Sequence, residues 1–93
     1  MSPGLEKPGG YTVQVRYFAS LREALGGGQV VAVPAGCTVG VLRDLLIGQG
    51  GAHAHALARG RAVRAAVAQQ MAAEDTLLPA GAEVAFFPPV TGG

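Results

Sequence analysis

Ninety-three residues with a net charge of +1, 49% of them apolar and 14% charged, describe one small folded domain rather than a disordered chain. A chain this short has little surface to spare for a deep cleft, which favours a carrier, binding module or subunit over a self-sufficient enzyme. The near-zero charge argues against a dedicated nucleic-acid domain. The lone cysteine, Cys37, cannot form an internal disulfide and fits a reducing compartment. No apolar run reaches the length of a membrane span. A cytoplasmic protein is the simplest reading.

In chain order, residues 1–10 hold Pro3, Gly4, Pro8, Gly9 and Gly10 and no hydrophobic block. They read as a flexible N-terminal extension, not a signal peptide. Tyr11 to Ala19 reads as a strand with Val13, Val15 and Tyr17 on one face and Gln14 and Arg16 on the other. Ser20 is placed to cap a short helical turn through Leu25 that Gly26 ends. Gly26 to Gly28 turn the chain into a second strand, Gln29 to Val33.

Thr38 is the expected N-cap of the main helix, Val39 to about Gly48. Val39, Leu42, Leu45 and Leu46 would form its buried stripe, with Arg43 and Asp44 facing away. Residues 52–61 read equally as short helix or loop. Arg64 to Ala68 reads as a strand, with a turn near Gln69-Gln70 and a short return at Met71-Ala72. Pro79-Ala80-Gly81 is a turn. Glu83 to Phe87 is the last strand, closed by Pro88, which has no amide to give a ladder. This order predicts an α+β fold, one helix across a small mixed sheet, over residues 11–87, followed by an extended tail over residues 88–93.

The tail carries the chemical information. Pro88 and Pro89 favour polyproline II geometry, which holds a stem away from the body. Beyond them come Val90 and Thr91. Gly92 and Gly93 lack side chains and suit a channel too narrow for a Cβ. Fully extended, the six residues reach about 20 Å. A slim, unhindered terminal carboxylate on Gly93 suits insertion into another protein's active site. Phe86 and Phe87 are adjacent and so point to opposite faces of the last strand; one packs inward and the other serves a partner surface.

The segment EVAFFPPVTGG, Glu83 to Gly93, resembles the C-terminus of the MoaD-type small subunits of molybdopterin synthase, within the MoaD/ThiS family of ubiquitin-like sulfur carriers. VRYFASLREALG, Val15 to Gly26, resembles that family's first strand and following turn, and the resemblance covers about Tyr11 to Gly93. It implies a β-grasp fold and a non-catalytic carrier subunit. A MoeB-type enzyme would use ATP to adenylate Gly93, and sulfur would then replace the adenylate. The resulting thiocarboxylate would enter a large MoaE-type subunit to build the dithiolene of molybdopterin. No cofactor is expected on the chain itself. One departure stands out: where the family often has Ala-Val-Asn, this chain reads Ala66-Val67-Ala68.

Other candidates are weaker. Arg59, Arg61 and Arg64 form a loose basic cluster, read as a solvated loop or, alternatively, as a docking patch. His53 and His55 lie two apart, with Cys37 distant, which does not suit a metal site. Gly26 to Gly28 precede a strand, not a helix, and so are not a dinucleotide loop. Alternative functions are a carrier of the same design for thiamine synthesis or another pathway, a ubiquitin-like interaction module with an idle tail, and protein conjugation through Gly93.

Overall fold

Two periodicities build the domain: a two-residue alternation in the strands and a three-to-four-residue repeat in one helix, each leaving an apolar face to be covered. The computed structural model describes residues 10–89. Residues 1–9 of the extension expected over residues 1–10, and the tail residues 90–93, lie outside the described residues. The elements are β1 (Tyr11–Tyr17), α1 (Ser20–Leu25), β2 (Gly28–Val33), α2 (Val39–Ile47), α3 (Gly51–Ala56), β3 (Arg64–Val67), β4 (Gln70–Ala72) and β5 (Glu83–Phe87). The five strands form one mixed sheet in the order β2-β1-β5-β3-β4. β1 runs parallel to β5, and every other pairing is antiparallel. This is the α+β, ubiquitin-like β-grasp expected from the sequence.

The core forms where the strand alternation meets the helix stripe. Val13, Val15 and Tyr17 of β1 and Val84 and Phe86 of β5 face Val39, Leu42 and Leu46 of α2, with Leu21, Leu57 and Leu78 closing the edges. Full burial of each large aliphatic or aromatic side chain contributes about 1.5–3 kcal/mol before entropy is counted. The N-terminus of α2 is largely serviced. The Thr38 hydroxyl accepts from the Val41 amide at 3.2 Å. The Val39 amide donates to Thr76 O and the Gly40 amide to Glu74 O, at 3.0 and 2.8 Å. Three of the four orphan donors of a helix start are thereby satisfied. Gly40 is required for this approach, since a Cβ there would lie 3.0 Å from the Glu74 carboxylate and 3.2 Å from its carbonyl oxygen.

Several expectations need correction. Ser20 is the first residue of α1, not its cap; the cap is Ala19, with φ of 55° and no side-chain hydrogen bond. Leu45 is 41% exposed. The fourth buried member of the α2 stripe is Arg43, at spacing 39, 42, 43, 46, and it is only 5% exposed. Arg43 therefore does not face away. It donates to Leu57 O (2.8 Å), Ala58 O (2.7 Å), Arg61 O (3.0 Å) and the Glu74 carboxylate (2.9 Å). The planar, five-donor guanidinium can serve several acceptors at once, which makes its burial tolerable. The ambiguous segment 52–61 resolves into α3 and this bound loop.

The β3–β4 hairpin turns one residue earlier than expected. Val67 pairs with Gln70, so the two-residue turn is Ala68-Gln69, with φ of 51° and 69°. A type I′ hairpin requires positive φ at both positions, which Asn and Gly adopt at low cost and Ala and Gln do not. The Asn that the resemblance would put at Ala68 would have a backbone reason there.

Two predictions follow from these contacts. Ala68→Asn combined with Gln69→Gly should stabilise the domain by about 1 kcal/mol, read as a higher urea midpoint at unchanged slope; a lower midpoint refutes the turn assignment. Arg43→Lys should destabilise by about 3 kcal/mol, because one ammonium cannot replace the fork and leaves buried carbonyls unpaired; an unchanged midpoint refutes the role given to Arg43.

Candidate functional site

The site is built on β5, because the chemistry expected of the tail depends on how that strand is held. β5 lies in the middle of the sheet, with four register pairs to β1 on one side and four to β3 on the other. The Phe18 amide donates to Phe86 O at 3.1 Å beyond that ladder. Phe86 is the inward member of the aromatic pair. It is 1% exposed, with its ring stacked on Tyr17 at 6.5 Å between centroids. Its side chain is therefore an anchor and is not available at a surface. Burial pushes the Tyr17 phenol up to about 12, and its hydroxyl donates to Gln29 Oε1 at 2.9 Å.

Phe87 is the outward member and is half-buried, as are Pro88 and Pro89 after it. Across the ladder Phe87 pairs with Arg64, Ala85 with Ala66, and Ala66 with Met71. Phe87, Ala85, Ala66 and Met71 therefore share the face of the sheet turned away from the helices, and Met71 is 62% exposed. The Arg16–Glu83 ion pair, at 2.9 Å, lies on the same face. Reading the chain strand by strand missed the contributions of Ala66, Met71 and Ala85. Only the hairpin register brings them beside Phe87, and a one-residue slip inverts that register. Val90, Thr91, Gly92 and Gly93 lie outside the described residues, so the placement of the expected reactive carboxylate is not part of this geometry.

The basic cluster does not form a patch. Arg59 turns back onto Asp44 Oδ1 (3.0 and 2.8 Å), Gly40 O (3.0 Å) and the Glu74 carboxylate. Arg61 approaches His55 Nε2 at 2.9 Å. Arg64 stands on the far face beside Phe87. Arg59, and then Arg43, hold the Glu74 carboxyl below the usual range. The histidines are apart as well, since His53 Nε2 meets Gln29 Oε1 at 2.9 Å and its ring lies edge-on to Tyr17. Among the described residues no group of three or more His, Cys, Asp or Glu is placed to hold a metal ion.

An open groove of about 400 Å³ runs beside Val39, Ala65, Met71 and Phe86, with Arg64 and Glu74 at its rim. No nucleophile and base are paired there. Cys37 is buried, and its thiol donates to Thr38 O at 3.3 Å. Burial pushes that thiol up, with a backbone hydrogen bond at Leu42 acting the other way, so it stays protonated at neutral pH. No helix among the described residues is long and apolar enough to cross a membrane.

Comparison with known proteins places the chain among small sulfur-handling β-grasp proteins. Residues 15–93 match the ThiS family. The molybdopterin synthase sulfur carrier subunit of Escherichia coli (strain K12) is 41% identical over 81 residues, 87% of this chain and 99% of that protein. The solution structure of the Haloferax volcanii HVO 2177 protein superposes with a TM-score of 0.79 at 25% identity, covering 98% of this chain and 94% of that one. The crystal structure of Haloferax volcanii small archaeal modifier protein 1 gives 0.65 at 30% identity, covering 86% and 99%.

Two measurements test this geometry. Cys37 should react with Ellman's reagent about a hundredfold more slowly in native buffer than in denaturant, because it is shielded and protonated; equal rates refute its burial. Glu74 has a lowered native pKa, so its contribution to stability is present above the unfolded value of about 4.3 and is lost as pH falls through the native value. Acid unfolding followed by circular dichroism should therefore show a loss below about pH 4.3 that Glu74→Gln diminishes; identical acid profiles refute the carboxylate's part.

Proposed function

The chain belongs to the ThiS family, and on that footing we propose that it is the sulfur carrier subunit of a molybdopterin synthase, with Gly93 as the residue that carries sulfur. The observation that supports this most is the join between fold and tail. The family match runs through Gly93, and the strand before the tail is the doubly paired, buried centre of the sheet. A reactive end attached there starts from a fixed point, so a partner that grips the domain also fixes where the end must go.

The chemistry needs little else from this chain. A carboxylate is a poor electrophile, because it is anionic and its oxygen is a poor leaving group. In the proposed cycle a Gly93 carboxylate oxygen attacks the α-phosphorus of ATP on a MoeB-type activating enzyme, and pyrophosphate leaves. A hydrosulfide-level sulfur nucleophile then attacks the acyl carbon and AMP leaves with release of a proton, giving a thiocarboxylate. Inside a MoaE-type large subunit the anionic sulfur attacks a carbon of the pterin precursor and displaces an oxygen substituent, giving a thioester. Water then cleaves the acyl–sulfur bond, leaving the sulfur on the pterin and returning Gly93 to the carboxylate. The carrier holds no cofactor of its own in this cycle. Phe87, with Ala66, Ala85 and Met71 beside it, supplies the apolar contact for the partner. Pro88, Pro89, Val90 and Thr91 form the stem, and Gly92 keeps the tip narrow.

A second reading, protein conjugation through Gly93, is favoured by the likeness to a small archaeal modifier protein. Mass spectrometry of the protein from its native cell separates the two, since a thiocarboxylate exchanges one oxygen for sulfur whereas an isopeptide adds a protein.

Deleting Gly93 shortens the reach by about 3.3 Å, and misplacement of even about 1 Å can cost a hundredfold in a positioned reaction. That variant and Gly92→Val should both keep the parent's circular dichroism and melting temperature. Sulfur delivery to the large subunit should fall at least about a hundredfold. Near-parent delivery by the chain lacking Gly93 refutes the proposed carrier role.

A further inference from the structure

β2 is an edge of the sheet, and among the described residues nothing pairs with its free side. The hydrogen-bond phase of the β1–β2 ladder follows from the Tyr17 amide, which donates to Gly27 O at 3.2 Å. Counting back by two along the register, Gln29, Val31 and Val33 exchange bonds with β1. Gly28, Val30 and Ala32 therefore turn their amide and carbonyl groups outward. No hydrogen bond among the described residues uses these six groups. Edge strands are commonly blunted by charge, proline or a bulge. The segment Gly28-Gln29-Val30-Val31-Ala32-Val33 has no charge and no proline, and its register with β1 is unbroken. Val30 is 67% exposed on the face away from the helices.

We propose that this edge pairs with the β2 edge of a second copy of the chain, antiparallel, about a two-fold axis at Val30. That register sets Val30 opposite its own counterpart and Gly28 opposite Ala32 of the partner copy. Both are hydrogen-bonding pairs, so all three outward amides and all three outward carbonyls of each copy find partners. A shift by one residue would leave these groups misaligned. The Val30 side chains then meet across the axis on the open face, and Gln29 lies across from Val31. The strand itself is uncharged, and the chain's net charge is only +1, so the edge carries no charge of its own to oppose pairing. Residues 1–9 of the same chain are a poorer occupant, because Pro3, Gly4 and Pro8 disfavour a strand. β5 is separated from β2 by β1, so the pairing does not occupy the strand that bears the tail. One short edge buries less than the roughly 800 Å² per partner of a stable complex, so the dimer is weak and reversible, with Kd of order 0.1–1 mM.

The test is sedimentation equilibrium of the full chain from about 10 µM to 1 mM, with amide exchange followed by NMR. The parent should dimerise, and the Val30 and Ala32 amides should become protected as concentration rises. Val30→Lys should stay monomeric and so should Val30→Glu, because each places like charges face to face at the axis. Their equimolar mixture should recover the dimer. Both variants should melt near the parent, since Val30 is exposed. A monomeric parent at 1 mM, dimerisation of either variant alone at parent strength, or a mixture that fails to associate would each overturn the proposal. So would association that appears only in a chain starting at Gly10, which would assign the edge to the chain's own first residues.

Discussion

The guanidinium of Arg43 is the contact on which the arrangement of the helical side depends. From inside α2 it holds the carbonyls of Leu57, Ala58 and Arg61 and the carboxylate of Glu74. These acceptors come from the loop after α3 and from the segment after β4. Neither stretch has regular hydrogen bonding of its own, and a buried carbonyl without a donor costs about 1–3 kcal/mol. One side chain therefore fixes two irregular segments to the helix that covers the core. Glu74 in turn meets Arg59 and closes on Gly40, so the α2 N-terminus and both segments form one unit.

That unit sits on the sheet, and among the described residues nothing covers the opposite face. Division of labour follows from this. At the helix side Arg59 serves the fold and Arg61 meets His55, while Arg64 stands on the far face, which is why the three arginines do not gather into one patch. The far face and the end of β5 carry the apolar side chains that the helix side does not use. The buried Phe86 and the half-buried Phe87 are neighbours in the chain, yet one belongs to each half of that division.

The strand pattern was legible because it is local. Alternation places Val13, Val15 and Tyr17 inward, and β5 runs from Glu83 to Phe87 as read from the sequence. Thr38 was legible as a cap for the same reason. Arg43 was not, although the spacing 39, 42, 43, 46 is the regular helical stripe. Charge argued for solvent there, and the carbonyls that receive it lie 14 to 18 residues further on. Ala68-Gln69 is an uncommon pair for its turn, so composition pointed one residue too late. The tail's meaning came from its resemblance to a known family and from the chemistry of a bare terminal glycine, and the described residues show only the platform from which it starts.

The central position of β5 also determines how the domain bears force. A pull directed along the chain from Pro88 loads β5 lengthwise, across its ladders with β1 and β3 together. Those hydrogen bonds lie across the direction of pull and must slide as a set, whereas an edge strand could be peeled one bond at a time. A machine that seized this end to thread the chain for destruction would load a strand paired on both sides first. An end that leaves the domain from this strand is thus a poor handle for unravelling it.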